Sequence, residues 1–385
     1  MPLEESLPPL SIDKEMLTPV VQRLLSQEGA EVIDFQSKAV TGGFEAATAI
    51  YLVKGKAQVA SGTVPWRVVL KVIHLVAGNE DPQGFLYWQR EVLAYSSGLL
   101  YTLPCKLTAP RCHLITEQPG GETWLWLEYV DDTVGKSWPL EHYGIVAQQL
   151  GAFNGSYLTG CQIPSQPWIP RAWLRAYVEH AAPAVQFILE NPDHPLVKSL
   201  FPGDVLGAAL KIWEEREHFF SILGSLPEVF CHQDAFKGNL FTAHDQLVGI
   251  DWSYMGPAVL GAEIVPLVGA SMVFSGFPAK QAMQLDQVVF DGYLAGLKDV
   301  GCHVNPQKVR LAYCLTFILR YGIGGQIGQV IPWLLDEITV HQLEIKSGTT
   351  ADEYSQSSSS MSDYFLTVLM EGMKLVGFDP FSGPS

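Results

Sequence analysis

The sequence predicts an α+β protein of two lobes, with a small antiparallel sheet and one main helix in the first lobe and mostly helices in the larger second lobe. Segments rich in β-branched and aromatic residues, separated by turn signals, fill the first third of the chain. Apolar residues at helical spacing dominate the remainder. The change of pattern places the N-terminal lobe at residues 1–127 and the C-terminal lobe at residues 128–385.

Local patterns define the elements of the N-terminal lobe. Period-two alternation and β-branched runs predict strands, apolar residues three and four apart predict helices, and Thr41-Gly42-Gly43 is a turn signal between the first two strands. The third strand, WRVVLKVIHL, contains Lys71. The predicted strands are 31–40, 48–53, 66–75 and 123–130, and the predicted helices are 17–25 and 84–99, the second being the one long helix of this half.

The C-terminal lobe is predicted to contain buried helices and one hairpin. Two segments, 259–277 and 309–335, are apolar enough to require comparison with a membrane span. Glu263 and Pro266 interrupt the first, and Arg320 and four glycines interrupt the second, so both are predicted to be buried in a globular lobe. The other predicted elements are helices 143–158, 173–189, 206–220 and 364–376 and a hairpin turn at 244–245.

Composition narrows the class of protein. Hydrophobic residues make up 48% and charged residues 17% of the 385 residues, which favours helices buried on most sides. The 24 Lys and Arg residues against 40 Asp and Glu give a net charge of -16, so we expect neither nucleic acid nor a membrane among its partners. Six scattered cysteines and an N-terminus without signal-peptide features predict a cytoplasmic location.

The stretch CHQDAFKGNLF, residues 231–241, places a His, an Asp and an Asn among apolar residues with the spacing HxDxxxxN. Phosphoryl transfer to an alcohol needs a base near the accepting hydroxyl, metal ions and positioned phosphates. In that chemistry Asp234 accepts the proton of the hydroxyl, Asn239 faces the metal ion, and His232 braces the turn. The stretch therefore predicts the catalytic loop of a phosphoryl-transfer enzyme.

A second carboxylate follows at a suitable distance. The apolar segment 247–250 leads directly into Asp251, and carboxylate oxygens are ligands that Mg²⁺ prefers. The hairpin at 244–245 would return Asp251 to the neighbourhood of Asn239. Asn239 and Asp251 are therefore the predicted metal ligands.

Lys71 is a charge within the apolar strand VVLKVI, and a buried ammonium is costly unless it meets an anion. Glu91 on the following predicted helix supplies one partner, and a nucleotide's phosphates supply another. Gly42 and Gly43, at the preceding turn, would let the backbone approach those phosphates. These four residues are the predicted nucleotide-binding group, and Lys71 also counts as catalytic.

The segments CHQDAFKGNLF and VGIDWSYMGP resemble the aminoglycoside phosphotransferase and choline kinase-like family, the small-molecule branch of the protein-kinase-like fold, over about residues 31–340. The resemblance implies Asp234 as catalytic base, with Asn239 and Asp251 as Mg²⁺ ligands and ATP or GTP as donor. It also implies that the strand LWLEYV binds the adenine edge through backbone groups near Glu128 and Val130.

Four residues depart from the pattern of this family. Ser253 stands where many relatives carry a second acid, and Gln233 replaces the glycine of HGD. Lys237 stands where many relatives have proline, and it could neutralise charge on the transferred group or be solvated. Glu263 occupies a place where relatives often carry an Asp that buttresses the catalytic loop, and a structural role is expected for it.

The predicted activity is Mg²⁺-dependent transfer of a γ-phosphate to the hydroxyl of a small acceptor, with cationic, amino-sugar and sugar-like alcohols all left open. Aromatic residues of the large lobe could line the acceptor pocket or belong to the core: Trp168, Trp173, Tyr177, Tyr254 and Trp333. The main alternative is a catalytically weak pseudokinase that acts as a nucleotide-binding or scaffold protein. A protein kinase lacks support because no activation-loop insert follows Asp251, and a metal hydrolase would leave Lys71 without a role. A monomer or a homodimer is expected.

Overall fold

The computed structural model describes residues 11–40, 48–135, 137–201, 204–274, 277–336, 340–341, 350 and 362–380. An antiparallel sheet forms from the first third of the chain and helices dominate the rest, which confirms the predicted α+β class. The strands are β1 Glu31–Ala39, β2 Thr48–Val59, β3 Gly62–Ile73, β4 Leu107–Thr108, β5 Cys112–Glu117, β6 Thr123–Glu128, β7 Glu228–Cys231, β8 Leu240–Ala243, β9 Gln246–Gly249 and β10 Gly256–Val259.

The helices are α1 Lys14–Leu25, α2 Arg90–Ser96, α3 Leu140–Thr159, α4 Trp173–Glu179, α5 Ala182–Glu190, α6 Pro195–Leu200, α7 Val205–Glu214, α8 Arg216–Gly224, α9 Val265–Phe274, α10 Ala282–Asp299, α11 Pro306–Phe317, α12 Ile331–Leu335 and α13 Ser362–Val376. A π-helix, Ile318–Val330, joins α11 to α12. Short 3₁₀ turns occur at Leu99–Tyr101, Trp252–Tyr254 and Ala279–Gln281.

The main sheet has five strands in the order β1-β2-β3-β6-β5, with every neighbouring pair antiparallel. β3 lies at its centre, where Lys71 is opposite Ile50 on one side and Leu125 on the other. Helix α1 begins after Asp13, whose carboxylate accepts a hydrogen bond of 2.8 Å from the Met16 amide, and its apolar face joins the core of the sheet. This arrangement fixes the position of Lys71 in a strand held on both edges.

Helix α2 differs from the prediction of a helix over 84–99. It begins at Arg90, and residues 84–89 form turns. The buried guanidinium of Arg90 donates to the carbonyl oxygens of Phe85 at 3.2 Å and Pro82 at 3.3 Å, and also to that of Gly84. Because a side chain satisfies these carbonyls, the backbone needs no helical turn there. With 7 residues against 12 in α1, α2 is also not the long helix expected for this half.

Two helices predicted in the C-terminal part are each divided. The segment 173–189 forms α4 and α5, and the division falls just before Pro183, whose ring clashes with a preceding helical turn. The segment 206–220 forms parts of α7 and α8, which meet at Glu215, a residue with φ -90° and ψ 9°. Apolar periodicity continues across both breaks, which is why the sequence pattern did not reveal them.

Two small sheets position the predicted catalytic loop. β7 pairs with β10, and β9 pairs with β8 and, in parallel, with β4. The loop 232–239 runs from β7 to β8, and Asp251 follows β9. His244 and Asp245 have φ values of 51° and 59°, as a two-residue hairpin turn requires, so the predicted hairpin is confirmed.

Helices α3 and α10 pack at very short range because glycines lie where they cross. A Cβ atom at Gly296 would collide with the backbone carbonyl of Gln148, and one at Gly151 would collide with the carbonyl of Tyr293. Of the two apolar segments compared above with membrane spans, the first is helical over Val265–Phe274 and the second throughout, and the described residues of both are largely buried. Among the described helices, none is both long enough and apolar enough to cross a bilayer.

Candidate active site

His232 holds the catalytic loop in place through hydrogen bonds of both of its ring nitrogens. Its Nε2 atom lies 2.8 Å from the carbonyl oxygen of Ile250, and its Nδ1 atom accepts a hydrogen bond of 3.2 Å from the backbone N–H of Asp234. The ring is fully buried against Trp252, with 4.4 Å between ring centroids. Burial lowers the pKa of His232 to about 4, so the ring is neutral and holds the hydrogen on Nε2.

Glu263 supports the same loop by accepting backbone hydrogen bonds. Its carboxylate oxygens accept from the N–H groups of His232 at 2.8 Å and Gln233 at 3.1 Å, and the Asn154 side chain adds a contact at 3.4 Å. Burial raises the pKa of Glu263, although these hydrogen bonds favour the carboxylate. The position of Glu263 beneath the loop agrees with the structural role expected for it.

Asp234 and Asn239 lie in direct contact across the loop. The Asn239 side-chain amide donates to the Asp234 carboxylate at 2.7 Å and to the Asp234 carbonyl at 3.1 Å. The Asp234 side chain is 23% exposed, so an external hydroxyl can approach it. Because the amide nitrogen of Asn239 is directed at Asp234, its side-chain oxygen is left for another partner.

Lys71 joins two carboxylates in the cleft between the main sheet and the catalytic loop. Its ammonium forms an ion pair with Glu91 and a second one with Asp251 at 2.9 Å. Burial acts to lower the pKa of Lys71, but the charges of Asp251 and Glu91 outweigh it and raise the pKa, so the lysine stays protonated. Burial raises the pKa of Glu91, whereas the charge of Lys71 overcomes burial at Asp251 and lowers its pKa.

The Asp234–Asn239 pair and the Lys71–Asp251 pair are connected through the backbone near the end of β9. The amide of Ile250 donates to the carbonyl of Asn239 at 2.9 Å, and Ile250 immediately precedes Asp251. The structure thus connects Asp234, Asn239, Asp251 and Lys71 through direct contacts and through the peptide bond between Ile250 and Asp251. Five of the residues predicted from the sequence, with Glu91 the fifth, therefore form one continuous site.

The oxygen atoms of Asn239 and Asp251 suit a magnesium ion. One Asp251 oxygen accepts from Lys71 and, at 2.9 Å, from the Ser253 hydroxyl, while its second oxygen has no hydrogen bond to any described residue. Within the described part of the chain, no cluster of three or more His, Cys, Asp or Glu residues could hold a metal ion alone. Mg²⁺ characteristically takes one or two protein ligands together with substrate phosphates, so this donor set fits it.

Four predicted nucleotide contacts remain: Gly42, Gly43, Glu128 and Val130. Gly42 and Gly43 fall outside the described residues. Glu128 ends β6, where its amide donates to the carbonyl of Arg111 at 2.8 Å and its carboxylate accepts from the Arg111 amide at 3.1 Å. Val130 follows two residues later. The structure does not bring Glu128 or Val130 into contact with Lys71, and their role stays a prediction.

A cavity of about 180 Å³ opens beside Lys71 and Asp251. The loop before α2 forms one wall through Phe85, Tyr87 and Trp88. The buried Arg90 fixes this wall to the C-terminal part, because its guanidinium also donates to the carbonyl oxygens of Ser253 at 2.7 Å and Trp168 at 3.2 Å. Sequence reasoning did not assign this role to Arg90.

Arg320 is a second residue that sequence reasoning did not assign to the site. It lies in the π-helix, is 7% exposed, and donates to the Asp234 carboxylate at 3.1 Å and to the carbonyl of Gln233. Burial acts to lower the pKa of Arg320, but neighbours that include Asp234 raise it overall. The signal in the sequence was an arginine inside an apolar segment, which indicates a buried charge with a partner elsewhere.

Comparisons with known proteins agree with this geometry. A family model described as the phosphotransferase enzyme family (APH) matches residues 58–300, which include the connected residues of the site. A search of curated proteins gives no match. One similar solved structure is a choline kinase from Cryptosporidium parvum Iowa II, with a TM-score of 0.56 and 15% identity; the match covers 94% of this chain and 100% of that chain. Another is an amicoumacin kinase in complex with AMP-PNP, Ca²⁺ and Ami, with a TM-score of 0.51 and 12% identity; the match covers 96% of each chain.

The two structural similarities show a shared fold, and the family model spans more than half of the 385 residues. On this basis the chain belongs to the phosphotransferase enzyme family.

Proposed function

We propose that this chain is a kinase that transfers the γ-phosphate of ATP or GTP to a hydroxyl group of a small acceptor, with Asp234 as the base. The observation that carries the proposal is the direct contact of Asp234 with Asn239 in a site that also holds the buried Lys71 paired with Asp251. An acidic base, an amide oxygen, a carboxylate and an ammonium are the groups that phosphoryl transfer to an alcohol requires.

Each residue has a defined part in the reaction. The acceptor oxygen forms a bond to the γ-phosphorus, the bond from that phosphorus to the bridging oxygen breaks, and the nucleoside diphosphate leaves with the bond electrons. The acceptor's proton passes to the carboxylate of Asp234, which is partly exposed and therefore accessible. Asn239 orients that carboxylate by donating to it.

Lys71 is placed to contact the nucleotide's phosphates, because its ammonium is buried beside Asp251 at the wall of the cleft. Asn239 and Asp251 would hold Mg²⁺ through their side-chain oxygens, and the ion would supply charge neutralisation on the phosphates. The amicoumacin kinase of similar fold is described as a complex with AMP-PNP and Ca²⁺, which supports a nucleotide and a divalent cation here.

The test compares nucleotide consumption by purified wild-type protein and Asp234→Ala, with Mg²⁺ and a panel of alcohols and also with water as the only acceptor. Asp234→Ala should lower turnover by about 100-fold or more and leave nucleotide affinity near that of the wild type. Asp251→Ala should instead weaken nucleotide binding that depends on Mg²⁺. Asp193→Ala, at an exposed ion pair with Lys198, serves as the control and should match the wild type.

Two outcomes would contradict the proposal. Asp234→Ala with wild-type turnover would exclude the assigned base. Wild-type protein that binds nucleotide without consuming it, with water or with any alcohol, would support the pseudokinase alternative instead.

A further inference from the structure

The π-helix places Arg320 beside the catalytic loop. Its turns are wider than those of an α-helix, a geometry found frequently at functional sites. Glycines let this segment pack closely on α4 and the residues that follow: a Cβ atom at Gly324 would collide with the Tyr177 ring, and one at Gly328 would lie 3.0 Å from the Cβ of Ala181. The close packing fixes the position from which Arg320 extends.

The Arg320 guanidinium occupies one side of the Asp234 carboxylate. It donates to one oxygen at 3.1 Å, while Asn239 donates to the other at 2.7 Å. The same guanidinium donates to the carbonyl of Gln233, so it binds two successive residues of the loop. A buried arginine with these bonds cannot leave the site without a large cost in solvation and pairing. Arg320 therefore provides a permanent positive charge beside the proposed catalytic base, Asp234.

Three of the five aromatic residues considered above for the acceptor pocket form a cluster at this arginine. Arg320 lies over the Trp173 ring at 4.8 Å from its centroid. Tyr177 stacks on Trp173 with 5.1 Å between centroids and 11° between planes, and Tyr254 lies 5.1 Å from Trp173. The guanidinium of Arg320 thus occupies the face of the Trp173 ring on which the ammonium group of an acceptor would otherwise lie.

A cavity of about 180 Å³ opens beside Arg320, and we call it the Arg320 cavity. It reaches Gln233, the residue before the base, and Arg320, which itself contacts Asp234, so it lies next to the catalytic loop. Its lining is mostly apolar but includes six residues with side-chain hydrogen-bond donors, and Glu228 is the one carboxylate among its described lining residues. The donors are Arg171, Trp173, Arg175, Gln233, Thr316 and Arg320.

From these contacts we propose that Arg320 is a positioning and specificity-determining residue, and that the acceptor is an alcohol without positive charge near its reacting hydroxyl, such as a sugar, a polyol or a hydroxy acid. The proposal rests on the proposed function, because it concerns the acceptor of the same site. Like charges a few ångströms apart in a partly buried site repel strongly, so an ammonium next to the hydroxyl is disfavoured. Oxygen atoms of the acceptor match the donors of the Arg320 cavity.

The test uses acceptor pairs of matched shape that differ in charge: choline with 3,3-dimethylbutan-1-ol, glucosamine with glucose, and ethanolamine with ethylene glycol, together with glycerate as an anionic alcohol. Initial rates of nucleotide consumption give kcat and KM for wild type, Arg320→Gln and Arg320→Lys. Wild-type kcat/KM should favour the uncharged or anionic alcohols by about tenfold or more. Arg320→Gln should reduce this preference to about threefold or less, and Arg320→Lys, which keeps the charge, should retain most of it.

Arg216→Gln is the matched control, because it removes an arginine that pairs with Glu179 and does not line the Arg320 cavity. It should leave the preference of the wild type unchanged. The proposal is overturned if the wild type prefers the cationic member of the pairs, if it uses no uncharged or anionic alcohol of the panel, or if Arg320→Gln keeps the wild-type preference. The role of Asp234 as the base is tested separately, by nucleotide consumption with water as the acceptor. It can therefore hold even if the role proposed for Arg320 is wrong.

Discussion

Lowering the pH should destabilise the protein through His232. The ring is fully buried, its Nε2 donates to Ile250, and its Nδ1 accepts from the amide of Asp234. A protonated ring would carry hydrogens on both nitrogens, so Nδ1 could no longer accept that bond. Folding therefore favours the neutral ring, and burial lowers the pKa of His232 from 6.5 to about 4.

The sign and size of the effect follow from the two pKa values. Below pH 6.5 the unfolded chain binds a proton at His232 that the folded protein does not bind until about pH 4. The stability that this residue contributes is thus present above pH 6.5 and is lost as the pH falls toward 4. The full difference is about 3 kcal/mol, of which about 2 kcal/mol is lost between pH 8 and pH 5.

The assay is urea denaturation of the wild type and His232→Gln at pH 8, 6.5 and 5. The comparison with a side chain that does not titrate is needed because burial raises the pKa of Glu91 and Glu263, which changes stability with the opposite sign. His232→Gln should be less stable at pH 8, and the difference in the free energy of unfolding should narrow by about 2 kcal/mol at pH 5. Parallel pH profiles for the two proteins would refute the reasoning.

Two further predictions concern packing away from the site, each measured by urea denaturation. Arg310→Met should cost about 3–5 kcal/mol because it leaves Asp286, which is 2% exposed, without its cation, whereas Arg216→Met at a partly exposed pair should cost about 1 kcal/mol or less. Equal costs would contradict this reasoning. Gly296→Ala should destabilise the protein by about 2 kcal/mol or more, because the new methyl group meets a backbone carbonyl. Gly207→Ala, whose methyl group would lie in open space, should be neutral or stabilising by about 1 kcal/mol. A neutral effect of Gly296→Ala would contradict the close packing of α3 on α10.

The sequence was most informative where a polar residue interrupts an apolar pattern. Lys71 stands inside a run of β-branched residues, and the cost of burying its charge led to the prediction of an acidic partner, Glu91. The structure confirms that ion pair and adds Asp251, 180 residues away in the chain. Four of the five strands of the main sheet were predictable for a related reason, because alternation and β-branching are local properties, whereas β5 was not predicted.

Helix boundaries were less predictable because distant groups determine them. Residues 84–89 have helical periodicity, but Arg90 takes up the carbonyl oxygens of Gly84 and Phe85. It also bonds to the carbonyls of Ser253 and Trp168. The side chain thus joins the segment to the C-terminal part in a conformation that a local pattern does not record. Contacts of this kind are long-range, and apolar spacing alone carries no information about them.

Arg320 shows the same difficulty at the site itself. Its partner Asp234 lies 86 residues earlier, and both residues have other carboxylates and cations nearer in sequence. The cost of burying a charge predicts that Arg320 has a partner but does not identify it. The π-helix adds to the problem, since its widened turns shift the direction of side chains relative to α-helical spacing.

Gln233 contacts both Arg320 and Glu263, and its φ of 66° lies in the left-handed region. The family that the sequence resembles carries glycine at this position. A residue with a Cβ atom pays about 1–2 kcal/mol for this conformation, so neighbouring contacts must hold it. Glu263 binds its amide at 3.1 Å and Arg320 binds its carbonyl, which places an anion on one side of this peptide segment and a cation on the other. The orientation of Asp234 therefore depends on two buried charged residues rather than on the backbone freedom of a glycine.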